Sequence, residues 1–271
     1  MTVMAGVWGQ LIQGNSLSEI KAVYRNVKRW LMQRSGARKL DAVGPLSLTH
    51  QVKPEVLQLC RDFYFKIWHD CGVMHLFAVD CILPEYRSVL DVGCGTALDA
   101  PLIMFRNPHC YYTGIDANEV AIAVARENMP SHRLIAGDFQ DVNIGPERYD
   151  IAICLSVLEH TIDFQNVISK IVICARYEVV LGFYRGLSQD DKHLIQPVST
   201  RTFWEPKYGL GAKRWEFSYL NTYSEVKLKD WLNQTFSDWE ITFIRLHNSI
   251  LKEFPRPVMV RLRRKSRGQQ R

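Results

Sequence analysis

Five short apolar runs, near 87–92, 111–116, 132–136, 149–155 and 177–183, alternate with stretches of helical spacing through the middle of the chain. This alternation predicts a parallel sheet with helices on both faces, because a right-handed crossover between parallel strands needs an intervening helix. Two later runs, WEITFIRL at 239–246 and PVMVRLRR at 257–264, alternate apolar with polar residues and predict a closing antiparallel pair. Upstream, Ile20, Val23, Tyr24, Val27, Trp30 and Leu31 recur at helical spacing with Lys and Arg opposite, which predicts an amphipathic helix over 17–33. A second helix is expected from about Pro54 to Phe77, with Pro54 suited to its first turn and Phe63, Tyr64, Phe65 and Trp68 along it.

Between the fifth strand and the next helix lies a long segment, 184–223, carrying Tyr184, Phe203, Trp204, Tyr208, Trp215, Phe217, Tyr219 and Tyr223. A connection that long in a compact domain is functional or disordered, and its aromatic content argues for a folded insertion. A short hairpin is expected around Lys213 to Leu220. The insertion either closes over an acceptor, with Tyr184, Arg185, Trp204, Tyr208 and Tyr219 lining the pocket, or packs as a satellite cluster on the sheet edge. Thr222 and Glu225 have the spacing of a capping box for the helix that follows.

The chemistry concentrates where the first core strand ends. In SVLDVGCGTALD, residues 88–99, an apolar run stops at Asp91 and opens into Gly93, Cys94 and Gly95. Glycine is needed in such a turn because the backbone visits angles closed to residues with a Cβ and because a ligand approaches the main chain closely. A dinucleotide site would place a third glycine five residues after the first, to seat a pyrophosphate; that position is Leu98. An acid two residues before the first glycine repels a diphosphate and attracts an ammonium group, so the ligand implied is a nucleoside carrying an amino acid, S-adenosylmethionine.

The pattern resembles the first motif of the class I S-adenosylmethionine-dependent methyltransferases, of the small-molecule, type 11/12-like branch. Three further segments resemble the family in order, and the resemblance covers roughly residues 85 to 185. In YYTGIDANEV, Asp116 stands twenty-one residues after Gly95, with Ala117 beside it, where the family places the acid that holds both ribose hydroxyls. In RLIAGDFQDV, Asp138 and Phe139 resemble the adenine site. In RYDIAICLSVLEH, the strand ends near Leu155 and Ser156 and is followed by Glu159 and His160. Taken singly, Asp116 also reads as a helix cap and Asp138 as a turn residue, since Asp is favoured at both.

The resemblance implies an α/β, Rossmann-like fold: a seven-stranded, mostly parallel sheet with helices on both faces and an antiparallel last strand. It divides the chain into an N-terminal helical extension over 1–84, which in relatives covers the cofactor cleft, and a core over 85–271 with the insertion at about 184–223. The activity implied is methyl transfer to oxygen or nitrogen of a small molecule. His160 is the candidate proton acceptor, because imidazole titrates near neutrality; it equally suits a cap or a packing contact. Glu159 reads as structural. A non-catalytic binder that keeps the cofactor cleft, and an RNA or protein methyltransferase, are the competing readings.

Composition narrows the setting. Forty-seven per cent hydrophobic residues argue against wholesale disorder. No run reaches the eighteen or so apolar residues of a membrane helix; Met74 to Leu83 is broken by His75 and Asp80. The first ten residues carry no basic region ahead of their apolar ones, so a secretory signal is not expected. Seven cysteines without framework spacing suggest a reducing compartment, the cytoplasm, and the absence of Cys-x-x-Cys gives no metal site. Of the net charge of +6, residues 1–50 contribute +5 and residues 252–271 contribute +7, leaving −6 for the middle. The basic tail RLRRKSRGQQR reads as a solvated end or as a contact for nucleic acid or an anionic surface.

Overall fold

Strand β1 (Ser88–Val92) lies between β2 (Tyr111–Asp116) and β4 (Tyr149–Leu155), parallel to both, and the sheet grows outward from this trio. β3 (Arg133–Ala136) flanks β2, and β5 (Ala175–Phe183) flanks β4, again in parallel. In this computed structural model the described residues are 57–58, 60–62, 64–65, 68, 71–161, 163–197, 217–246 and 257–265. Every residue of β4 is buried, as expected of a central parallel strand covered on both faces. β9 (Val258–Arg264) pairs antiparallel with both β5 and β8 (Trp239–Arg245), giving a seven-stranded sheet of order β3-β2-β1-β4-β5-β9-β8. This is the sheet that the hydrophobic pattern and the resemblance predict.

The crossovers are α2 (Ala100–Arg106), α3 (Glu119–Asn128) and α4 (Phe164–Cys174), and α5 (Glu225–Thr235) precedes β8. α3 and α4 start at capped ends: the Asn118 side chain accepts from Val120 and Ala121 amides, and Asp163 accepts from the Asn166 amide. Each cap contributes about 1 kcal/mol. Leu90, Val92, Ala152, Cys154, Val179 and Leu181 from the sheet pack with Val167, Ile168 and Ile171 of α4 and Leu228 and Leu232 of α5 into the main core cluster. On the far side of β4, fully buried Glu178 ties β5 to β9 through Arg261 (2.6 Å) and accepts from the Tyr86 hydroxyl (3.0 Å).

Three local expectations change. The helix expected from Pro54 to Phe77 is broken: positions 57–58, 60–62, 64–65 and 68 are helical, Cys71 makes a turn, and a separate helix α1 (Gly72–Asp80) runs beyond Phe77. The break is at Cys71, whose φ of −104° and ψ of 13° leave the helical region and make it the N-cap of α1. The hairpin expected around 213–220 is a longer-range pairing of β6 (Lys192–Pro197) with β7 (Phe217–Thr222). Thr222 therefore ends a strand, and the cap of α5 is Ser224, whose Oγ accepts from the Lys227 amide; Glu225 pairs instead with Arg245.

The described residues lie in one compact unit, Leu46–Arg271. The helix expected over 17–33, the residues Trp204 and Tyr208 and the end of the basic tail lie outside the described residues. Among the described residues no helix is long and apolar enough to cross a membrane.

Candidate functional site

The carboxyl ends of β1, β2, β3, β4 and β5 meet along one edge of the sheet, and each sequence-predicted core residue falls on that edge or within five positions of a strand end. In an open parallel sheet this edge is where ligands bind. The turn after β1 is pinned to β2 by the amides of Gly93 and Cys94, which both donate to the Ile115 carbonyl (2.7 and 3.1 Å). Gly93 and Gly95 adopt φ of +76° and +54°, the left-handed region. A Cβ on Gly93 would come within 2.0 Å of Val157, and one on Gly95 within 2.4 Å of the Tyr64 ring, so both positions require glycine twice over. Ala97, where the wider family pattern departs, takes φ +57° nonetheless. The shape of the turn survives the change of residue.

Asp116 closes the turn from β2. Its Oδ2 accepts from the Gly95 amide (2.7 Å) and its Oδ1 from the Asn118 amide (2.7 Å). Burial pushes this carboxyl above the ordinary aspartate range, and the two amides pull it back. The helix-cap reading of Asp116 does not hold, because Asn118 makes the cap. Each Asp116 oxygen keeps a lone pair, enough for a vicinal diol. Ala117 is exposed beside it.

Asp91, four-per-cent exposed, accepts from the Tyr112 hydroxyl (2.6 Å). Burial and the charge of Asp99 raise its carboxyl to about 7. A cation brought next to it would restore the carboxylate. The Cys94 side chain turns toward Gly114 on β2, whose added Cβ would lie 2.7 Å from Sγ.

At the β3 end, Asp138 is exposed and folds its Oδ1 onto the Gln140 amide (2.9 Å), the turn role the sequence also allowed. Phe139 is buried in the main core, with the Lys170 ammonium 4.9 Å from its ring centroid and bonded to the Phe139 carbonyl.

At the β4 end, Ser156 adopts φ +58° with its amide bonded to the Gly182 carbonyl (3.0 Å), and its buried Oγ has no partner among the described residues. The short 3-10 turn Leu158–His160 then brings Glu159 and His160 to the exit of β5. Glu159 is fully buried, accepts from the Arg185 amide (3.4 Å), and has its second oxygen unpaired. Burial raises its carboxyl to about 7. The exposed His160 ring stacks on Tyr184 at 6.1 Å between centroids and 21° between planes. Leu155, Ser156, Glu159, His160, Tyr184 and Arg185 thus come together at the ends of β4 and β5. Tyr219 sits in β7 opposite Ile195.

Four residues escaped the sequence reading. Tyr64 lies against Gly95, and its hydroxyl accepts from the Asn118 side chain (3.1 Å). Trp68 Nε1 donates to Asp99 Oδ1 (2.7 Å), and His75 Nδ1 meets Asp99 Oδ2 (2.7 Å). The signal was present. Cys60, Tyr64 and Trp68 follow one another at four-residue spacing on a helix whose Leu57 and Cys60 pack against Val120, Ala121 and Val124 of α3, so one stripe reaches from α3 to the start of α2.

The donor set fits an adenosyl amino acid: a glycine cradle, a carboxylate with spare lone pairs for a diol, and buried unpaired polar atoms on Ser156 and His75 along the same edge.

Comparison with known proteins agrees. Residues 89–176 match a family described as a methyltransferase domain. The ubiquinone biosynthesis O-methyltransferase of Pseudomonas savastanoi pv. phaseolicola (strain 1448A / Race 6) is 31% identical over 118 residues, covering 40% of this chain and 48% of that protein. The ubiquinone biosynthesis O-methyltransferase of Nitrosomonas europaea is 30% identical over 147 residues, covering 49% and 59%. The chain thus spans about half to three-fifths of the length of these curated relatives. Among solved structures, the 1,6-didemethyltoxoflavin-N1-methyltransferase of Burkholderia thailandensis, bound to 1,6-didemethyltoxoflavin and S-adenosylhomocysteine, shares the fold with a TM-score of 0.53 and 16% identity, over 84% of this chain and 94% of that one.

Proposed function

We propose that this chain, whose residues 89–176 match a family described as a methyltransferase domain, is a class I S-adenosylmethionine-dependent methyltransferase that methylates an oxygen or nitrogen of a small molecule. The observation that carries the reading is the bridge from the Asp116 carboxylate to the Gly95 amide, which sets a diol-binding acid directly against the glycine cradle. The similarity to O-methyltransferases of ubiquinone biosynthesis favours oxygen as the atom methylated.

Gly93 and Gly95 would admit the cofactor to the main chain, Asp116 would hold its ribose hydroxyls, and Asp138 would stand at the adenine end. When bound, the sulfonium supplies a methyl group already activated for in-line transfer. What the chain must add is alignment of the acceptor and exclusion of water. Tyr184 and Arg185 stand at the exit of β5 next to the β4 turn and are placed to orient the acceptor. His160, stacked on Tyr184 and open to solvent, is placed to take a proton from an acceptor hydroxyl or amine. Seven free thiols suit a reducing compartment, and the cytoplasm is the location we favour.

The test is transfer from methyl-labelled S-adenosylmethionine across a panel of small phenols and amines, for the wild type and His160→Ala. Label transfer by the wild type, with turnover lost and cofactor affinity kept in the variant, supports both parts. Retention of cofactor with no transfer to any acceptor points to the binding-protein reading, and equal turnover in the variant removes His160 from the mechanism.

A further inference from the structure

We propose that His75, held by Asp99, is the group that receives the α-carboxylate of the nucleoside-linked amino acid, so that His75 and Asp91 read the two ends of a zwitterion. The inference rests on the cofactor reading above and assigns a residue to its amino-acid end.

His75 lies on α1, outside every motif. Its Nδ1 sits 2.7 Å from Asp99 Oδ2, which fixes that nitrogen as a donor and leaves Nε2 as the free position. Nε2 is buried and has no partner among the described residues. Three charged or polar groups face the ring: Asp99 at the start of α2, Asp91 on β1, and Trp68, whose indole is 5.9 Å away and donates to the other oxygen of Asp99. Burial works against a charged imidazole, but the field and hydrogen bond of Asp99, with Asp91 behind it, outweigh burial and raise its pKa. That shift favours the imidazolium form, whose second N–H, on the buried Nε2, has no acceptor among the described residues. Such a donor calls for an anion.

The order of strands identifies which anion. With adenine at the β3 end and ribose at Asp116 on β2, the amino-acid tail reaches the exit of β1, where Asp91, the glycine turn and Asp99 stand. Two acids there favour an ammonium, and a lone carboxylate would meet repulsion from both. A zwitterion satisfies the whole set: its amine faces Asp91, and its carboxylate takes the Nε2 proton.

The experiment compares S-adenosylhomocysteine with its decarboxylated analogue, which differs only by the carboxylate, using titration calorimetry on the full chain. A charge-assisted hydrogen bond predicts that the wild type prefers the carboxylate-bearing ligand by about tenfold or more. His75→Gln should abolish that preference by weakening S-adenosylhomocysteine alone. Asp99→Asn, which keeps the shape of the site, should lower the pH at which the preference is lost, in step with the His75 ring titration followed by NMR. Equal weakening of both ligands, or an unchanged preference in His75→Gln, overturns the inference while leaving the cofactor reading intact. A wild type that binds neither ligand overturns both.

Discussion

The ring of Tyr64 fills the space that a side chain on Gly95 would need: a Cβ built there lies 2.4 Å from two ring carbons. Tyr64 is therefore seated on the glycine turn itself, so the two can be tested together. Gly95→Ala places an L-residue at φ +54° and drives its methyl into the ring. The expected cost is about 2 kcal/mol in denaturant unfolding, roughly half from the left-handed backbone and half from displaced packing. Adding Tyr64→Ala should return the packing half and leave the backbone half. A double mutant with the sum of the two single losses would show that the contact does not constrain the turn.

Asp116 has two structural partners as well as a ligand role, and a conservative change separates them. Asp116→Asn keeps one amide acceptor but turns its NH2 toward the second amide. We expect a stability loss of about 1 kcal/mol and an affinity loss for adenosyl nucleosides of about 10- to 100-fold, the value of a hydrogen bond to a charged group. Calorimetry and chemical denaturation on the same sample check both. Lower stability with unchanged affinity would confine Asp116 to bridging the turn.

Glu178 provides a control remote from the ligand edge. It is fully buried, and it pairs with Arg261 (2.6 Å) and Arg263 (3.4 Å) as well as with Tyr86. Removing one partner of such a set leaves the others desolvated and unpaired, so Glu178→Ala should lose about 3 kcal/mol of stability. Cofactor affinity, measured well below the unfolding transition, should stay at the wild-type level. A coupled loss of affinity would mean that β5 and β9 transmit strain to the β1 and β2 ends.

Much of this arrangement is legible in the sequence because the sheet is specified by local signals. The buried strands β1 and β4 read as continuous apolar runs, and β8 and β9 as alternation. The strand-end acids follow, because a parallel sheet puts every strand exit on one edge. What escaped depends on contacts distant in sequence. Trp68 and His75 meet the site at Asp99, 31 and 24 residues away, and no local pattern announces that pairing. Likewise β6 finds β7 across the insertion, which periodicity within 213–220 cannot reveal. The Lys170 ammonium over the Phe139 ring, 31 residues away, is equally invisible to local pattern.

Glu159 carries the clearest pH dependence in the described residues. Its carboxyl is fully buried, one oxygen accepts from the Arg185 amide (3.4 Å), and the other has no partner among the described residues. Burial raises it from 4.5 to about 7, so the folded state prefers the neutral acid while the unfolded state ionises normally. The folded state therefore holds more protons between these values, and stability falls as pH rises. The contribution is largest below about pH 4.5, is lost between about 4.5 and 7, and is flat above. At 1.36 kcal/mol per unit this amounts to about 3 kcal/mol. Glu159→Gln keeps the shape without the charge. Asp91 also titrates near 7 but is common to both proteins and cancels in the difference. Urea unfolding of wild type and variant from pH 5 to 8 should show the gap moving toward the variant as pH rises; a constant gap would mean that the Glu159 site already solvates its anion.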